Sequence, residues 1–206
     1  MKKKTKVMLI DDHPMLNYGL ASCLEETGRY NICGQAVSLT DARQFIENTK
    51  KLPALIILDI MLGKENGLDF LPFLETYCGE KGKSKPPVLI CSVLEDPFRI
   101  RTALKLGASG YISKTSSKTE LIKAIDTVLG GNVYLSNEHN EILEESSSVH
   151  SRFTMRELDV LNLIKQNKTN QQIAKLLHIN LRTVENHVSN IYFKTGANNR
   201  VELLRM

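Results

Sequence analysis

The sequence predicts a doubly wound α/β domain with a five-stranded parallel sheet, followed by a small all-α domain. Segments with strand-like and helix-like patterns alternate five times before residue 130, and only helical patterns follow residue 153. A polar stretch that becomes rich in serine lies between the two regions. We therefore expect an α/β domain over residues 1–130, a linker over 131–150 and a helical domain over 151–206.

Short apolar segments form the expected strands of the first domain, and amphipathic segments separate them. The strands are expected at 6–10, 30–37, 54–59, 87–92 and 109–113. The helices are expected near 14–26, 40–49, 67–77, 96–106 and 118–129. Pro14 suits the first turn of a helix, and Gly107 suits the end of one. Right-handed crossovers between βα units require a parallel sheet that is covered on both faces.

The segment that follows Gly130 and Gly131 reads NVYLSNEHNEILEESSSVHS. Its polar composition is typical of a linker, with room for one short helix. We place the boundary between the two domains within 131–150.

The second domain contains the start signals of several helices. Thr154 followed by Glu157 has the pattern of a capping box, which predicts a helix over 155–166. Asn170 and Asn180 are expected to cap the second and third helices. A fourth helix is expected from about residue 200. The third helix is expected to turn Val184, Val188 and Ile191 toward the core and to end at Gly196.

Composition and charge exclude several classes of protein. No apolar run reaches the roughly 18 residues that could span a bilayer, so we expect a cytoplasmic protein without a membrane partner. The four cysteines have no CxxC spacing, which favours reduced thiols over zinc or redox chemistry. Residues 151–206 carry 9 Lys and Arg against 4 Asp and Glu, within a chain of net charge +4. The basic, partner-binding surface is therefore expected in the second domain.

Polar residues follow the strands of the first domain at the ends where ligands bind in a doubly wound sheet. Asp11 and Asp12 follow the first strand, and Asp59 ends the third. Carboxylates that crowd together raise one another's pKa unless a cation is present, and Mg²⁺ suits two of them with a backbone carbonyl near Asp59. Asp59 stands centrally and is the expected nucleophile toward phosphorus. Ser92 and Lys114 reach the same edge from the fourth and fifth strands.

Residues 1–130 resemble the receiver domains of two-component systems. The resemblance rests on the acidic pair, on Asp59 followed eight residues later by Gly67, on Ser92, and on Tyr111 three residues before Lys114. It implies that a sensor histidine kinase phosphorylates Asp59 and that Lys114 pairs with the phosphoaspartate. It implies a switch in which Ser92 moves toward the phosphoryl group while Tyr111 turns inward. The implied ligands of Mg²⁺ are Asp11, Asp12, Asp59 and the main-chain carbonyl of Met61.

Residues 153–206 resemble the LuxR-type domain of the NarL/FixJ response regulators. The shared segments are FTMRELDVLNLI, NQQIAKLLHI and RTVENHVSNIYFKTG, where the last two have the spacing of a helix-turn-helix. The resemblance implies a transcription factor that binds double-stranded promoter DNA, and we expect a homodimer on paired half-sites after phosphorylation.

The third helix of this domain is expected to read DNA through the stripe opposite its apolar face. Asparagine can pair with adenine and glutamate can accept a hydrogen bond from cytosine, whereas basic and hydroxyl side chains suit phosphate. The expected DNA contacts are Arg182, Thr183, Glu185, Asn186, Ser189, Asn190 and Lys194. A solvated helix face is the alternative for each of them.

Three other functions fit parts of the sequence. An aspartate phosphatase would need a second Asp two residues after the nucleophile, where Met61 stands, and a flavin carrier would need a Gly-rich phosphate loop in place of DDHPML. The closer alternative is a regulator that binds DNA without phosphorylation and carries a pseudo-receiver. A labelling test of Asp59 with a small phosphodonor separates it from the switch, and no enzymatic turnover beyond self-phosphorylation and dephosphorylation is expected.

Overall fold

A computed structural model describes residues 4–94, 96–145, 153–197 and 199–204, apart from the side chains of residues 142, 144 and 145. The chain divides into two compact units, Met1–Glu144 and Glu145–Met206. Within the described part of the chain, no helix is long and apolar enough to cross a membrane.

The first unit contains a parallel sheet whose strand order is β2-β1-β3-β6-β7-β8. The sheet strands are β1 (Thr5–Ile10), β2 (Tyr30–Ala36), β3 (Leu55–Leu58), β6 (Val88–Ser92), β7 (Gly110–Ser113) and β8 (Tyr134–Leu135); a separate hairpin is formed by β4 (Met61–Leu62) and β5 (Glu65–Asn66). The direction in which successive strands are added to the sheet reverses between β1 and β3. In such sheets ligands bind at the carboxyl ends of the strands on either side of this point.

Six helices belong to this unit, and they cover the sheet on both faces. They are α1 (Pro14–Glu25), α2 (Leu39–Asn48), α3 (Phe70–Glu80), α4 (Pro97–Lys105), α5 (Lys118–Leu129) and α6 (Asn137–Glu145). Helices α1 and α5 pack on the face that presents Val7, Leu9 and Ile57. The alternate residues Met8 and Ile56 are fully buried too, so the centre of the sheet is covered on both sides as a parallel sheet requires.

The sheet has one strand more than the five expected from sequence. β8 pairs with β7 at Gly110↔Tyr134 and lies within 131–150, the segment interpreted as a linker. Two residues are too few for a periodicity signal, and the segment's polar composition conceals the buried Tyr134. Helix α6 matches the short helix allowed for there, and residues 146–150 lie outside the described part of the chain.

The structure also corrects the start of the third helix, which was expected at residue 67. The hairpin of β4 and β5 is followed by a 3₁₀ turn over Gly67–Asp69, and α3 begins at Phe70. Asn66 caps that turn by accepting a hydrogen bond from the N–H of Leu68. The loop after Asp59 is therefore built from local turns rather than from the first turn of a long helix.

The described residues of the second unit form helices joined by turns and no strand; the helices are α7 (Met155–Lys165), α8 (Asn170–Leu176), α9 (Leu181–Thr195) and α10 (Arg200–Leu204). The expected capping box of Thr154 and Glu157 is present. Asn180 caps α9, which ends at Gly196 with φ +75°. The cap of α8 is Thr169 rather than Asn170, because Thr169 forms a capping box with Gln172 that uses both partners.

Candidate functional site

Four of the predicted residues meet at the carboxyl edge of the sheet. Asp11 and Asp59 follow β1 and β3 directly, Ser92 is the last residue of β6, and Lys114 follows β7. The Nζ atom of Lys114 lies 2.7 Å from Oδ2 of Asp59 and 2.6 Å from Oδ2 of Asp11. Strand order alone thus brings a lysine between two carboxylates that are distant in the sequence.

The loop that carries Asp59 is held in place by close backbone contact. The N–H of Gly67 donates to the carbonyl of Ile60 at 2.7 Å. A Cβ atom at position 67 would lie 1.9 Å from the carbonyl oxygen of Asp59, which no real contact allows. The eight-residue spacing from Asp59 to Gly67 therefore reflects a loop that folds back onto the acceptor position and leaves no room for a side chain.

The loop after β1 fixes the acidic pair. Asn17 is buried and its Nδ2 donates to the carbonyl oxygen of Asp11 at 2.7 Å. The N–H of Gly63 donates to Oδ2 of Asp12 at 2.9 Å, which ties the pair to the hairpin after Asp59. The N–H of His13 donates to Oδ1 of Asp11 at 2.9 Å. Each carboxylate is therefore anchored through one oxygen, and the other faces the site.

Burial and charge act in opposite directions on the pKa values of this site. Burial raises the pKa of Asp59 above its usual range, and the ammonium of Lys114 offsets this only in part. Burial acts to lower the pKa of Lys114, but hydrogen bonds to Asp11 and Asp59 outweigh it and raise that pKa. The three carboxylates of Asp11, Asp12 and Asp59 outnumber the one ammonium of Lys114, and such a crowd of acidic groups favours a bound cation.

The donor atoms at this edge fit a divalent ion. Ligand atoms of four residues lie within 4.8 Å of one another: Asp11, Asp12, His13 and Asp59. Oδ1 of Asp59 is buried without a hydrogen-bond partner among the described residues, and the buried Oδ1 of Asp12 has only the ring of His13 beside it, at 2.8 Å. Oxygens in this state match the preference of Mg²⁺ for a few carboxylates with water or phosphate completing its shell. The backbone of Met61 acts to lower the pKa of Asp59, and a role for the carbonyl of Met61 as a metal ligand stays a prediction.

The two predicted switch residues are linked through one backbone position, Leu94. Ser92 is fully buried and its Oγ accepts a hydrogen bond from the N–H of Leu94 at 3.3 Å. Tyr111 is fully buried and its hydroxyl donates to the carbonyl oxygen of Leu94. Burial raises the pKa of Tyr111 well above its usual value, so the phenol is a neutral donor. Tyr111 is therefore buried in this structure, and its inward turn on phosphorylation stays a prediction.

Sequence reasoning missed His139, which packs on Tyr111. Its ring centroid lies 5.2 Å from that of Tyr111 at 83°, an edge-to-face contact, and the residue is only 1% exposed. Neither ring nitrogen has a hydrogen-bond partner among the described residues. Helix α6 also receives a hydrogen bond from Arg101 to the carbonyl of Leu143 at 2.6 Å. One signal was available, because Ser136 caps the turn that presents His139.

In the second unit, α8 and α9 form the expected helix-turn-helix. Val184, Val188 and Ile191 are buried against the rest of the unit, as their spacing predicts. The opposite stripe of α9 is solvent-facing at the following predicted positions: Arg182, Glu185, Asn186, Ser189 and Asn190. Thr183 is half-buried, and its N–H and hydroxyl both donate to Oδ1 of Asn180, so this residue is occupied with the start of the helix.

Lys194 lies against Glu157 and Phe153 within its own domain, and its contact with DNA stays a prediction. Its Nζ lies 2.5 Å from Oε2 of Glu157 and 5.9 Å from the centre of the Phe153 ring, and its side chain is only 27% exposed. Glu157 is buried, so its charge requires a partner inside the domain. Lys194 therefore compensates the buried charge of Glu157 in this unit, and the neighbouring Phe193 is 90% exposed.

Comparisons with known proteins agree with both halves of this description. Residues 7–126 match the family model described as a response regulator receiver domain, and residues 151–206 match that of bacterial regulatory proteins of the luxR family. The chain is 32% identical to the transcriptional regulatory protein MctR of Rhizobium johnstonii, over 99% of this chain and 93% of MctR. It is 33% identical to the nitrate/nitrite response regulator protein NarL of Escherichia coli K12, over 95% and 91% respectively.

A solved structure has the same fold over nearly the whole chain. The RcsB response regulator of Salmonella typhimurium superposes with a TM-score of 0.64 at 20% identity, covering 98% of this chain and 97% of RcsB. The aspartate phosphatase and the flavin carrier are left without support, since the receiver match spans the acidic site. The chain therefore belongs to the NarL/FixJ family of response regulators, transcription regulators that join a receiver domain to a LuxR-type helix-turn-helix domain.

Proposed function

We propose that this protein is a transcription factor switched by phosphorylation of Asp59 by a sensor histidine kinase. One observation supports this most directly. The carboxylate of Asp59 is 2% exposed, holds Lys114 through Oδ2, and keeps Oδ1 without a hydrogen-bond partner among the described residues. A purely structural buried carboxylate would have both oxygens paired, whereas a nucleophile needs one oxygen that faces the site.

In the transfer, an Asp59 oxygen forms the bond to phosphorus while the bond from phosphorus to the kinase histidine nitrogen breaks. Lys114 stays beside the new acyl phosphate and compensates part of its charge. Asp11, Asp12 and the carbonyl of Met61 would hold Mg²⁺. When bound, Mg²⁺ neutralises the charge that spreads over the phosphoryl oxygens.

The signal then passes through Leu94. Ser92 would exchange its weak 3.3 Å contact with the N–H of Leu94 for a bond to a phosphoryl oxygen. The carbonyl oxygen of Leu94 accepts a hydrogen bond from the hydroxyl of Tyr111. A displacement of Leu94 would therefore change the position of Tyr111. Phosphorylation would in this way favour one arrangement of the β6–α4 loop and of Tyr111.

The second domain carries the DNA-binding function through α9. Asn186, Ser189 and Asn190 are exposed and can reach base edges, Arg182 can reach phosphate, and Glu185 lies on the same exposed stripe. A domain of this size makes few contacts, so we propose that phosphorylation promotes a homodimer on half-sites about one helical turn apart. Binding to promoter DNA also supports the cytoplasmic location expected from the sequence.

Binding of a labelled promoter library to the purified full chain tests the proposal. It is measured in Mg²⁺ with and without a beryllofluoride phosphoryl mimic, on the wild type, on Asp59→Asn and on Asp69→Asn. Asp69 is an exposed aspartate outside the site and makes the matched control. The mimic should increase sequence-selective binding by roughly tenfold in the wild type and the control, which corresponds to about 1.4 kcal/mol.

Asp59→Asn should bind DNA without responding to the mimic. Equal binding by all three proteins under all conditions would keep the DNA-binding function and refute the switch. That result would make the first domain a pseudo-receiver.

A further inference from the structure

His13 follows the acidic pair, and its ring faces the two carboxylates. It occupies the position that caps α1, but its side chain makes no capping hydrogen bond. Instead its Nδ1 is hydrogen-bonded to Oδ1 of Asp11 at 3.0 Å and lies 2.8 Å from Oδ1 of Asp12. The side chain is 64% exposed, so this inward orientation of Nδ1 is not forced by packing.

These separations have the dimensions of a coordination polyhedron. Six ligands at about 2.1 Å from a metal ion lie about 3.0 Å apart along each edge of the octahedron. The two distances from His13 Nδ1 to the carboxylate oxygens match such edges. Three successive residues therefore bring donor atoms within reach of one ion, although Oδ1 of Asp11 also accepts the N–H of His13.

A second observation points to an ion at the same place. Asp59 is buried on the other side of the cluster and presents Oδ1 without a partner among the described residues. That atom and the donors of Asp11, Asp12 and His13 lie within 4.8 Å of one another. The set then contains one imidazole nitrogen beside three carboxylates, which differs from the all-oxygen set that suits Mg²⁺ best.

We propose that Nδ1 of His13 is a metal ligand, and that it shifts the selectivity of this site toward first-row transition ions such as Mn²⁺ relative to Mg²⁺. Imidazole nitrogen binds first-row transition ions well, whereas Mg²⁺ prefers carboxylate, carbonyl and water oxygens. Removing the ring should thus weaken Mn²⁺ binding more than Mg²⁺ binding. The inference rests on the acidic metal site of the proposed function but adds a ligand and a selectivity to it.

Mn²⁺ alone is the probe, added to the purified full chain. Pulsed electron paramagnetic resonance detects a directly bound ¹⁴N nucleus, and competition between Mn²⁺ and Mg²⁺ gives the ratio of their affinities. The variants are His13→Ala and His13→Asn, where asparagine can still cap α1 but has no imidazole. The control is His187→Ala, which removes a half-exposed imidazole from the other unit.

The wild type and His187→Ala should show imidazole nitrogen coupling, and both His13 variants should lose it. The Mn²⁺ to Mg²⁺ affinity ratio should fall about tenfold in the His13 variants, while their Mg²⁺ affinity changes less than about twofold. Asp59→Asn should weaken both ions, which places the signal at this site.

Mn²⁺ binding without nitrogen coupling, or an unchanged affinity ratio in both His13 variants, would overturn the inference and leave the acidic site and the phosphorylation switch in place. Failure of the wild type to bind either ion would overturn both the inference and the proposed role of Mg²⁺.

Discussion

The ion pair of Glu157 and Lys194 is expected to hold α7 against α9, and its two partners should not contribute equally. Oε2 of Glu157 accepts from Nζ of Lys194 at 2.5 Å and from the N–H of Thr154 at 2.7 Å. Glu157 is buried, whereas the lysine side chain is 27% exposed. Loss of the lysine leaves a buried charge, and loss of the carboxylate charge leaves a lysine that can turn to water.

The expected cost follows from this asymmetry. Removal of one partner from a fully buried pair costs about 3–5 kcal/mol. Lys194→Met should cost about 2 kcal/mol, because the pair is partly screened and the N–H of Thr154 still supports the carboxylate. Glu157→Gln should cost about 1 kcal/mol, because glutamine also completes a capping box.

The pair also predicts a dependence on pH. Burial acts to raise the pKa of Glu157, but hydrogen bonds from Lys194 and Thr154 outweigh it and hold the pKa below its usual range. A carboxyl group with a lowered folded-state pKa contributes stability above its unfolded value of about 4.3, and this is lost as pH falls through the folded value. Lys194→Met should reduce that loss, because it raises the folded-state pKa of Glu157 toward the unfolded value, and Glu157→Gln should abolish it.

Native-state hydrogen exchange of the full chain measures both effects, since peptides from 153–197 report the second unit separately. Peptides of the first unit are the internal control, and they should exchange alike in all variants. A Lys194→Met cost equal to or smaller than that of Glu157→Gln would refute the argument from burial. So would an acid loss of stability that persists unchanged in Glu157→Gln.

Three further predictions concern the remaining sites. Gly67→Ala should lower the free energy of unfolding by about 3 kcal/mol and weaken binding of the phosphoryl mimic, whereas Gly79→Ala, which has open space around it, should be neutral or stabilising in thermal unfolding. His139→Phe should raise stability by about 1 kcal/mol, because it keeps an aromatic ring and removes two nitrogens that have no partner among the described residues. His139→Ala should lower stability by about 2 kcal/mol, and equal losses for both variants in urea unfolding would contradict this. Asn186→Ala should weaken binding to one operator sequence by about 1–3 kcal/mol and leave binding to other DNA unchanged. Arg182→Ala should weaken binding to every DNA sequence alike and reduce the salt dependence of binding. Identical binding profiles of the two variants across operators would argue against base readout by Asn186.

Much of the fold follows from local sequence patterns because those patterns extend over several residues. The apolar run around Leu55–Leu58 and the spacing of Val184, Val188 and Ile191 identify buried elements without any tertiary information. β8 escapes the same reasoning, since a two-residue strand carries no period and is stabilised by pairing with β7. Tertiary contact, not local propensity, decides such elements.

The acidic site could be predicted because chain topology alone places strand ends together. The ion pair of Lys194 could not be predicted, since it depends on the burial of Glu157, which lies 37 residues away in the sequence. The involvement of His13 with the carboxylates was missed for a different reason. A residue before Pro14 is expected to serve the helix start, and only the side-chain orientation shows that its ring faces the acidic pair.

The contact of His139 with Tyr111 packs α6 against the sheet of the receiver domain. Leu135 pairs with Tyr111 in the sheet, and the ring of His139 closes over the same tyrosine from α6. Protein interiors are close-packed, so Tyr111 cannot leave its position without opening a cavity beside His139 or displacing α6. Leu94 is hydrogen-bonded both to Tyr111 and to Ser92. The carboxyl edge of the sheet and α6 therefore belong to one continuous set of contacts.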